Sequence, residues 1–354
     1  MTISATTQGL KPGVCTSTNR PANPFDGQVI YMTDVDQTAV WDGTQWTVLA
    51  PIAGGRNRCI NGNMAIWQRG TSFTNPGAGG TYTADRWNTY FNGNGTAAQE
   101  TTTVPAGSKY AIKLTSTSTN GGIAAYQLIE DVNVYPLQNK NVVLSLQVAG
   151  TTAVGISLTY STTANDTLTN TSTALTATTI LNPTISTSLQ TYSFSFLVPS
   201  TAKTLRIGVG TGSVVNTNYI IFGNVQLEAG AVATPFEFED YGTTLQKCMR
   251  YFSIANGSGA TIGSVRNATS AYCAYSFPVE MRTTPTVTLL SGGGALVMPS
   301  DVGYTVTSVS TYNGSTRSIR IQANIATSSL TNGFSVFLQC GSTSTDGFSL
   351  SAEL

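Results

Sequence analysis

The segment INGNMAIWQRGTSF, residues 60–73, opens the largest domain that the sequence predicts. Its counterpart is VQLEAG at residues 225–230, which has the apolar residues of a buried strand. We predict that the later segment is the last strand of a sheet whose first strand holds Met64, Ile66 and Trp67. The two segments therefore bracket one domain, and its other strands lie between them.

Five stretches inside this bracket alternate apolar and polar residues with a period of two, which is typical of strands with one buried face. Residues 125–132 and 219–227 also have strand composition, so about eight strands are expected, enough for two sheets packed face to face. The Thr-, Ser- and Asn-rich interval 162–189 is too long for a hairpin loop and predicts a further strand or an exposed excursion. The five alternating stretches are Tyr110–Leu114, Val142–Val148, Val154–Tyr160, Tyr192–Val198 and Leu205–Val209.

The composition predicts a folded all-β chain. Hydrophobic residues make up 40% of the 354 residues, which is enough to build cores. The abundance of Thr, Ser, Asn and Gly between short apolar runs favours strands and turns over helices. Charged residues make up only 10%, with 17 basic and 17 acidic side chains, so neither nucleic acid nor an anionic membrane is predicted as a partner. No window of about 18 apolar residues predicts membrane insertion, and no secretory signal is recognised.

The inventory of reactive residues argues against catalysis. The chain has no histidine, which removes Ser-His-Asp and Cys-His machinery and the commonest zinc ligands. Its five scattered cysteines predict free thiols in a protein made in a reducing cytoplasm. A paired-carboxylate glycosidase is the remaining enzymatic alternative, because Glu237, Glu239 and Asp240 are close in sequence. However, the two glutamates alternate with Phe236 and Phe238, which favours a strand with a solvated face, so we expect no catalytic residue, no cofactor and no metal.

The N-terminal part predicts a small meander. Residues 1–20 are polar and expected to be extended or flexible, as in a docking tail. The following strands carry Tyr31, Trp41 and Trp46, and an Asp-Gly turn at 42–43 joins the last two. So small a unit does not cover these side chains within one chain, and we therefore expect them at an interface with another copy or another protein.

The C-terminal part predicts a helix followed by a second β unit. The helix is expected within Tyr241–Phe252, with Cys248 on its buried side and with Thr243 or Thr244 as its cap. Five alternating segments then follow, and the chain ends in Ala-Glu-Leu after a strand, which suggests a tip or an interface. The five segments are residues 271–279, 286–290, 304–309, 319–325 and 334–340.

Exposed aromatic residues beside polar loops are the candidates for ligand binding. We select Tyr90, Phe91 and Tyr160, next to Asn92-Gly93-Asn94 and to Asn165-Asp166, although these loops also fit plain solvated turns. Trp67 and Trp87 lie in predicted strands and are expected in the core. The glycine clusters at 208–212 and 292–294 lack the Lys-Ser or Lys-Thr and the helix of a phosphate loop, so they are interpreted as turns or tight packing.

Four short segments of the central domain resemble a known family. Residues 60–63 with Trp67, residues 84–87, residues 191–194 and residues 225–228 resemble the jelly-roll, carbohydrate-binding-module-like domain of fibre and tail proteins of tailed bacteriophages. The resemblance covers roughly residues 57–238. The N-terminal motif and the Cys-Arg-Tyr pattern after residue 247 are similar to segments that flank this domain in phage proteins.

The resemblance implies an all-β chain in four parts: a virion-attachment segment and β-meander at 1–50, a jelly-roll β-sandwich at 56–240, a helical linker at 241–252 and a C-terminal β-sandwich at 253–354. It implies a non-enzymatic, homotrimeric virion protein, which is attached to other virion proteins by its N-terminal segment. A tail fibre or receptor-binding protein that contacts host surface glycans is the favoured role. The alternatives are a head or tail decoration protein without receptor binding, and a polysaccharide depolymerase.

Overall fold

The structure, a computed structural model, is built almost wholly of strands. Its helical residues, within the part of the chain described, are α1 (Asp131–Val134), a 3-10 turn (Tyr135–Leu137) and α2 (Tyr241–Met249). The predicted all-β class is confirmed. The structure describes residues 12–34, 37–49, 55–77, 79–118, 122–164, 173–174, 183, 185–256, 260–297, 302–340 and 346–354.

The N-terminal sheet has four strands rather than the three of the predicted meander. The additional strand pairs in parallel with the next one and comes from the segment expected to be irregular, because its backbone groups find partners along the edge of the meander. Asp42 fixes the predicted turn by accepting hydrogen bonds from the backbone N–H groups of Thr44 and Gln45, and its pKa is lowered by them. The strands, in spatial order, are Gly13–Cys15 (β1), Val29–Met32 (β2), Gln37–Trp41 (β3) and Trp46–Val48 (β4).

Two six-stranded sheets form the central jelly-roll sandwich. Each predicted alternating stretch is a strand, because the residues that share its parity are buried in the core between the sheets. The first sheet is ordered Thr173–Ala174 (β13), Gly155–Ser161 (β12), Thr204–Thr211 (β15), Ile123–Ile129 (β10), Asn88–Phe91 (β7) and Thr81–Tyr82 (β6). The second is ordered Gln190–Leu197 (β14), Asn141–Gly150 (β11), Tyr219–Ala229 (β16), Ala111–Ser116 (β9), Gly95–Glu100 (β8) and Ser72–Thr74 (β5).

The opening segment lies along β16 as expected, but it is not a strand. The Arg58 N–H donates to the Leu227 carbonyl (2.8 Å), and the Val225 N–H donates to the Gly62 carbonyl (2.9 Å). Hydrogen bonds of the Asn61 side chain take the place of a regular strand ladder here. This side chain accepts a hydrogen bond from the Ile66 N–H and donates one to the Ile66 carbonyl, both at 3.0 Å. A polar side chain that satisfies nearby backbone groups in this way competes with strand pairing.

The C-terminal β unit combines a closed six-stranded barrel with a three-stranded sheet, and one apolar core joins them. Its strands include the five that the alternation predicted. Around the barrel the order is Ala260–Asn267 (β18), Ser270–Ser276 (β19), Ser318–Ile325 (β23), Gly303–Gly314 (β22), Gly294–Val297 (β21) and Ser335–Cys340 (β24). The sheet is ordered Phe252–Ala255 (β17), Phe348–Ser351 (β25) and Thr286–Leu289 (β20).

The predicted helix is present as α2, but its cap is a different residue. Asp240 Oδ2 accepts from the backbone N–H groups of Gly242 (2.9 Å) and Thr243 (3.3 Å), whereas Thr243 and Thr244 lie inside the helix. A carboxylate at this position also interacts favourably with the helix dipole. Cys248 is fully buried, as predicted.

The segment Ala352–Leu354 lies in the junction between the jelly roll and the C-terminal unit. Glu353 forms ion pairs with Arg69 (2.9 Å) and Arg86. The guanidinium of Arg86 is almost fully buried and lies 3.6 Å from the centre of the Tyr251 ring. These charges are therefore paired in a low-dielectric contact that couples the two units.

Candidate functional site

The outer face of the first jelly-roll sheet has an unusual lack of side chains. In β15 the residues Leu205, Ile207 and Val209 point into the core, so the intervening Gly208 and Gly210 lie on the opposite face. Glycine weakens the interior of a strand and commonly marks a place where another group approaches the backbone closely. The sheet is therefore bare where its central strand would otherwise carry side chains.

A groove of about 390 Å³ follows this bare strip. In the strand register, Gly208 lies between Tyr126 of β10 and Ser157 of β12, and Gly210 lies between Ala124 and Gly155. A tyrosine and a serine therefore face each other across a glycine floor. The lining residues are Ala124, Tyr126, Ala153, Gly155, Ser157, Gly208, Val209, Gly210, Thr211 and Gly212.

Close packing explains why residue 208 is glycine. A Cβ at this position would lie 2.6 Å from the Ser157 Oγ atom and 3.1 Å from the Cε1 atom of Tyr126. The Tyr126 ring therefore lies over Gly208, along the sheet surface. A side chain at residue 208 would displace the ring and fill the groove.

Tyr126 is held between a cation and a second phenol. The Arg206 guanidinium lies 5.1 Å from the centre of the Tyr126 ring, and its Nε–H donates to the Thr159 hydroxyl at 3.2 Å. Partial burial raises the pKa of the Tyr126 hydroxyl, while Arg206 lowers it and the neighbouring Tyr90 raises it further. The phenol stays protonated at neutral pH and can both donate and accept a hydrogen bond.

The groove has the chemistry of a binding surface. Its lining residues include no acidic side chain, lysine or cysteine, and Tyr126 is their one ionisable side chain. An aromatic ring beside hydroxyl groups and bare backbone suits a flat, polyhydroxylated ring, which has an apolar face and polar edges.

The predicted ligand-binding residues lie in different environments in the structure. Tyr90 lies on the outer face, paired with Ala124 of β10, and is half-buried at the margin of the groove. Phe91 is 1% exposed and packs in the core, because successive residues of β7 point to opposite faces. Tyr160 packs against the same core from β12, so neither of these two residues is available for stacking on this face. Asn165 and Asp166 lie outside the described residues.

Sequence reasoning missed Tyr126, Ser157 and the two groove glycines. The signal was present in the cluster at 208–212, where glycine recurs every second residue inside a strand pattern. Of the two interpretations of this cluster, turns or tight packing, the structure supports tight packing, because β15 continues through Thr211 and added side chains would collide with neighbouring strands. The period of two showed that the glycines share a face, but it did not show which residues of other strands lie beside them.

The tryptophans of the central domain are core residues, as expected. The indole Nε1–H of Trp87 donates to the Asn61 carbonyl (3.2 Å), and that of Trp67 donates to the Met64 carbonyl (2.7 Å). Trp87 is fully buried and contacts Phe222 of the second sheet edge to face, with ring centres 5.4 Å apart.

The predicted interface residues lie on the N-terminal sheet, where all three are half-buried. Trp41 and Trp46 contact each other edge to face at 5.6 Å. Trp46 also lines a cavity of about 350 Å³ between this sheet and the jelly roll, together with Gln147 and Phe236. The jelly roll of the same chain therefore covers part of the surface that sequence reasoning assigned to a partner.

The two glutamates of the paired-carboxylate alternative line one small cavity of about 20 Å³, where each is engaged in hydrogen bonds. Residues 236–240 are not a strand, contrary to the prediction, because their polar groups bond to Asn57 and to residues of α2. Glu237 Oε2 accepts from the Asn57 N–H (2.7 Å), and Glu239 accepts from Thr244 and pairs with Lys247. Each carboxylate already has structural hydrogen-bond partners.

The described part of the chain contains no group of three or more His, Cys, Asp and Glu side chains arranged to hold a metal ion. None of its helices is sufficiently long and apolar to cross a membrane.

No protein-family model matches the chain, and no curated protein matches it. Among solved structures, it is similar to the enzymatically active domain of tailspike protein 4 of bacteriophage CBA120, at 15% identity over 49% of this chain and 21% of that chain, with a TM-score of 0.36. It is also similar to the module TmCBM61 in complex with β-1,4-galactotriose (10% identity, 49% and 99% covered, TM-score 0.30). A third is the xylan-binding CBM22-1 domain from Paenibacillus barcinonensis (11% identity, 41% and 87% covered, TM-score 0.28). At these identities a likeness concerns the fold and not the ligand.

Proposed function

We propose that this chain is a glycan-binding protein that holds a saccharide in the groove of the jelly roll. The observation that supports this proposal is the strip of Gly208 and Gly210 on the outer face of the sheet, with Tyr126 and Ser157 on either side of Gly208. A sugar ring laid beside the tyrosine approaches the backbone at Gly210, stacks on the Tyr126 ring and exchanges hydrogen bonds with the serine hydroxyl.

We further propose that the chain is a structural protein of a tailed-phage virion, most simply a trimeric tail fibre that contacts host surface glycans. The support for this role is the resemblance of residues 60–63, 84–87 and 225–228 to phage fibre and tail proteins. An exposed pair of apolar side chains on the barrel supports association of copies: Ile262 is 67% exposed, and its cross-strand neighbour Phe337 is 37% exposed. Attachment to the virion is assigned to the N-terminal segment.

Binding of the full-length protein to a panel of bacterial surface polysaccharides tests the glycan proposal. Tyr126→Ala is expected to weaken binding, whereas Tyr135→Ala, which removes a 74% exposed tyrosine from the same domain, is the matched control. A sugar face on one tyrosine ring removes roughly 100 Å² of apolar surface from water, worth about 2.5 kcal/mol at about 25 cal/mol per Å². The expected loss is therefore up to about 70-fold. Equal affinities of the two variants would refute the groove as the binding site.

A further inference from the structure

A second cluster of aromatic and cationic side chains lies on the outer face of the C-terminal barrel. Tyr272 of β19 and Tyr312 of β22 meet across the intervening strand β23, with ring centres 4.3 Å apart and ring planes at 41°. Tyr312 is 53% exposed. The exposed Tyr312 ring and the half-buried Tyr272 ring contact each other and form a platform, which we name the Tyr272–Tyr312 platform.

Two arginines flank this platform. The Arg320 guanidinium lies 5.7 Å from the centre of each tyrosine ring, and that of Arg266 lies 5.3 Å from the Tyr272 ring. These are the only charged residues of strands β18, β19, β22 and β23, whose remaining positions are apolar or uncharged polar. Both charged side chains of these four strands therefore lie beside the platform.

Neither arginine is neutralised by an acid within the described residues. The nearby Arg317, by contrast, pairs with Glu280 at 3.2 Å. Arg266 donates only to the amide oxygen of Gln322 (3.1 Å), whose own NH₂ group donates to Asn324 (2.9 Å). The cluster thus combines two uncompensated cations with aromatic rings and a chain of side-chain amides.

We propose that the Tyr272–Tyr312 platform binds an acidic saccharide, a sugar ring that carries a carboxylate. The planar fork of an arginine matches a carboxylate with two parallel hydrogen bonds. The tyrosine rings provide the apolar surface for the face of the sugar, and the amides of Gln322 and Asn324 provide partners for its hydroxyl groups. A polynucleotide fits less well, because its affinity depends on many phosphate contacts and this surface has two cations on a chain of zero net charge.

This site is on a different domain from the jelly-roll groove and does not depend on it. The residues that line the groove are uncharged and Arg206 flanks Tyr126, whereas two arginines flank the platform, so we assign the neutral sugar to the groove and the acidic sugar to the platform. One chain would then recognise two chemically different parts of a surface polysaccharide.

Titration calorimetry of the full-length protein with a hexuronate tetramer tests this proposal. The comparison ligand is the same tetramer with its carboxyl groups reduced to alcohols. We expect the acidic tetramer to bind at least about tenfold more tightly, as for loss of one charge-assisted hydrogen bond. The advantage should shrink at high salt, because both arginines are exposed.

The variants Arg320→Gln and Tyr312→Ala are expected to weaken the acidic tetramer at least about tenfold, whereas Arg317→Gln is the matched control for loss of an exposed barrel arginine. Tyr126→Ala should leave this binding unchanged, so failure of the groove and failure of the platform are distinguishable. Equal binding of the reduced tetramer, or tighter binding of oligothymidine or a phosphorylated oligosaccharide, would overturn the proposal. Absence of a heat of binding at millimolar concentrations of the acidic tetramer would also overturn it. Thermal unfolding of each variant shows whether it is folded.

Discussion

Adding one methyl group at Gly208 should close the groove while leaving the sandwich folded. The new Cβ would lie 2.6 Å from the Ser157 Oγ atom and 3.1 to 3.2 Å from two carbons of the Tyr126 ring. Both neighbours are side chains on the outer face, so the serine can rotate and the ring can move outward without a change in the core. Gly208→Ala therefore alters the proposed site rather than the strand ladder.

The change in the free energy of unfolding caused by Gly208→Ala is the difference between two opposing effects. Overpacking typically costs about 1 to 3 kcal/mol, and alanine in place of a strand glycine returns about 0.5 to 1 kcal/mol of backbone entropy. The net loss is expected to be about 2 kcal/mol or less, which lowers the Tm by roughly 8 °C or less in a domain of this size. If the ring no longer stacks on the sugar, affinity falls by up to about 70-fold.

Two companion variants separate groove closure from unfolding. Gly212→Ala adds the same methyl at the rim of the groove, where it would have no atom within 4 Å, and should bind normally. Ser157→Ala combined with Gly208→Ala removes the closest contact, so Tm should recover while the methyl group still occupies the groove. Calorimetric titration with the best polysaccharide from the panel, together with thermal unfolding, measures both quantities.

Either of two results would contradict a ligand bound on the glycine strip. One is wild-type affinity in Gly208→Ala, which would show that no ligand lies on the glycine strip. The other is recovery of affinity together with stability in the double variant, which would show that lost folding, and not a filled groove, caused the weak binding.

Three further predictions concern the rest of the chain. Glu353→Gln should destabilise the protein by about 3 kcal/mol or more in urea unfolding, because it leaves the buried Arg86 without its partner; Glu280→Gln, at an exposed pair, should cost about 1 kcal/mol or less. Incubation with host envelope polysaccharide should release no oligosaccharide, and release that Glu237→Gln abolishes would show a glycosidase instead. Light scattering should give the mass of three chains. Ile262→Ser should lower this mass, because it removes apolar surface from the contact between copies and places a hydroxyl group there. A full-length monomer at micromolar concentration would contradict intrinsic trimerisation.

The sequence alone was sufficient for the longer alternating strands of both β domains, whereas strands such as β8 and β18 were not predicted. The alternation in Val142–Val148 or Ile319–Ile325 depends only on neighbouring residues of one chain segment, since successive side chains of a strand point to opposite faces. The helix at α2 was equally local, although Asp240 outcompeted the threonines as its cap because it reaches two backbone N–H groups. Because the pattern contains only neighbouring residues, it also wrongly predicted a strand at Met64, where the Asn61 side chain instead holds the backbone in a turn.

The site depended on contacts that no local pattern contains. Period two places Tyr90 and Phe91 on opposite faces, but only the packing of the two sheets decides that Phe91 is the buried one. The groove requires Tyr126, Ser157 and Gly208 to share a register across three strands that are not consecutive in the chain. Sequence alone determined the strands with a clear alternation of apolar and polar residues, because this is a property of neighbours along the chain. Tertiary structure decided where a ligand can bind, because strand order and register determine which side chains meet.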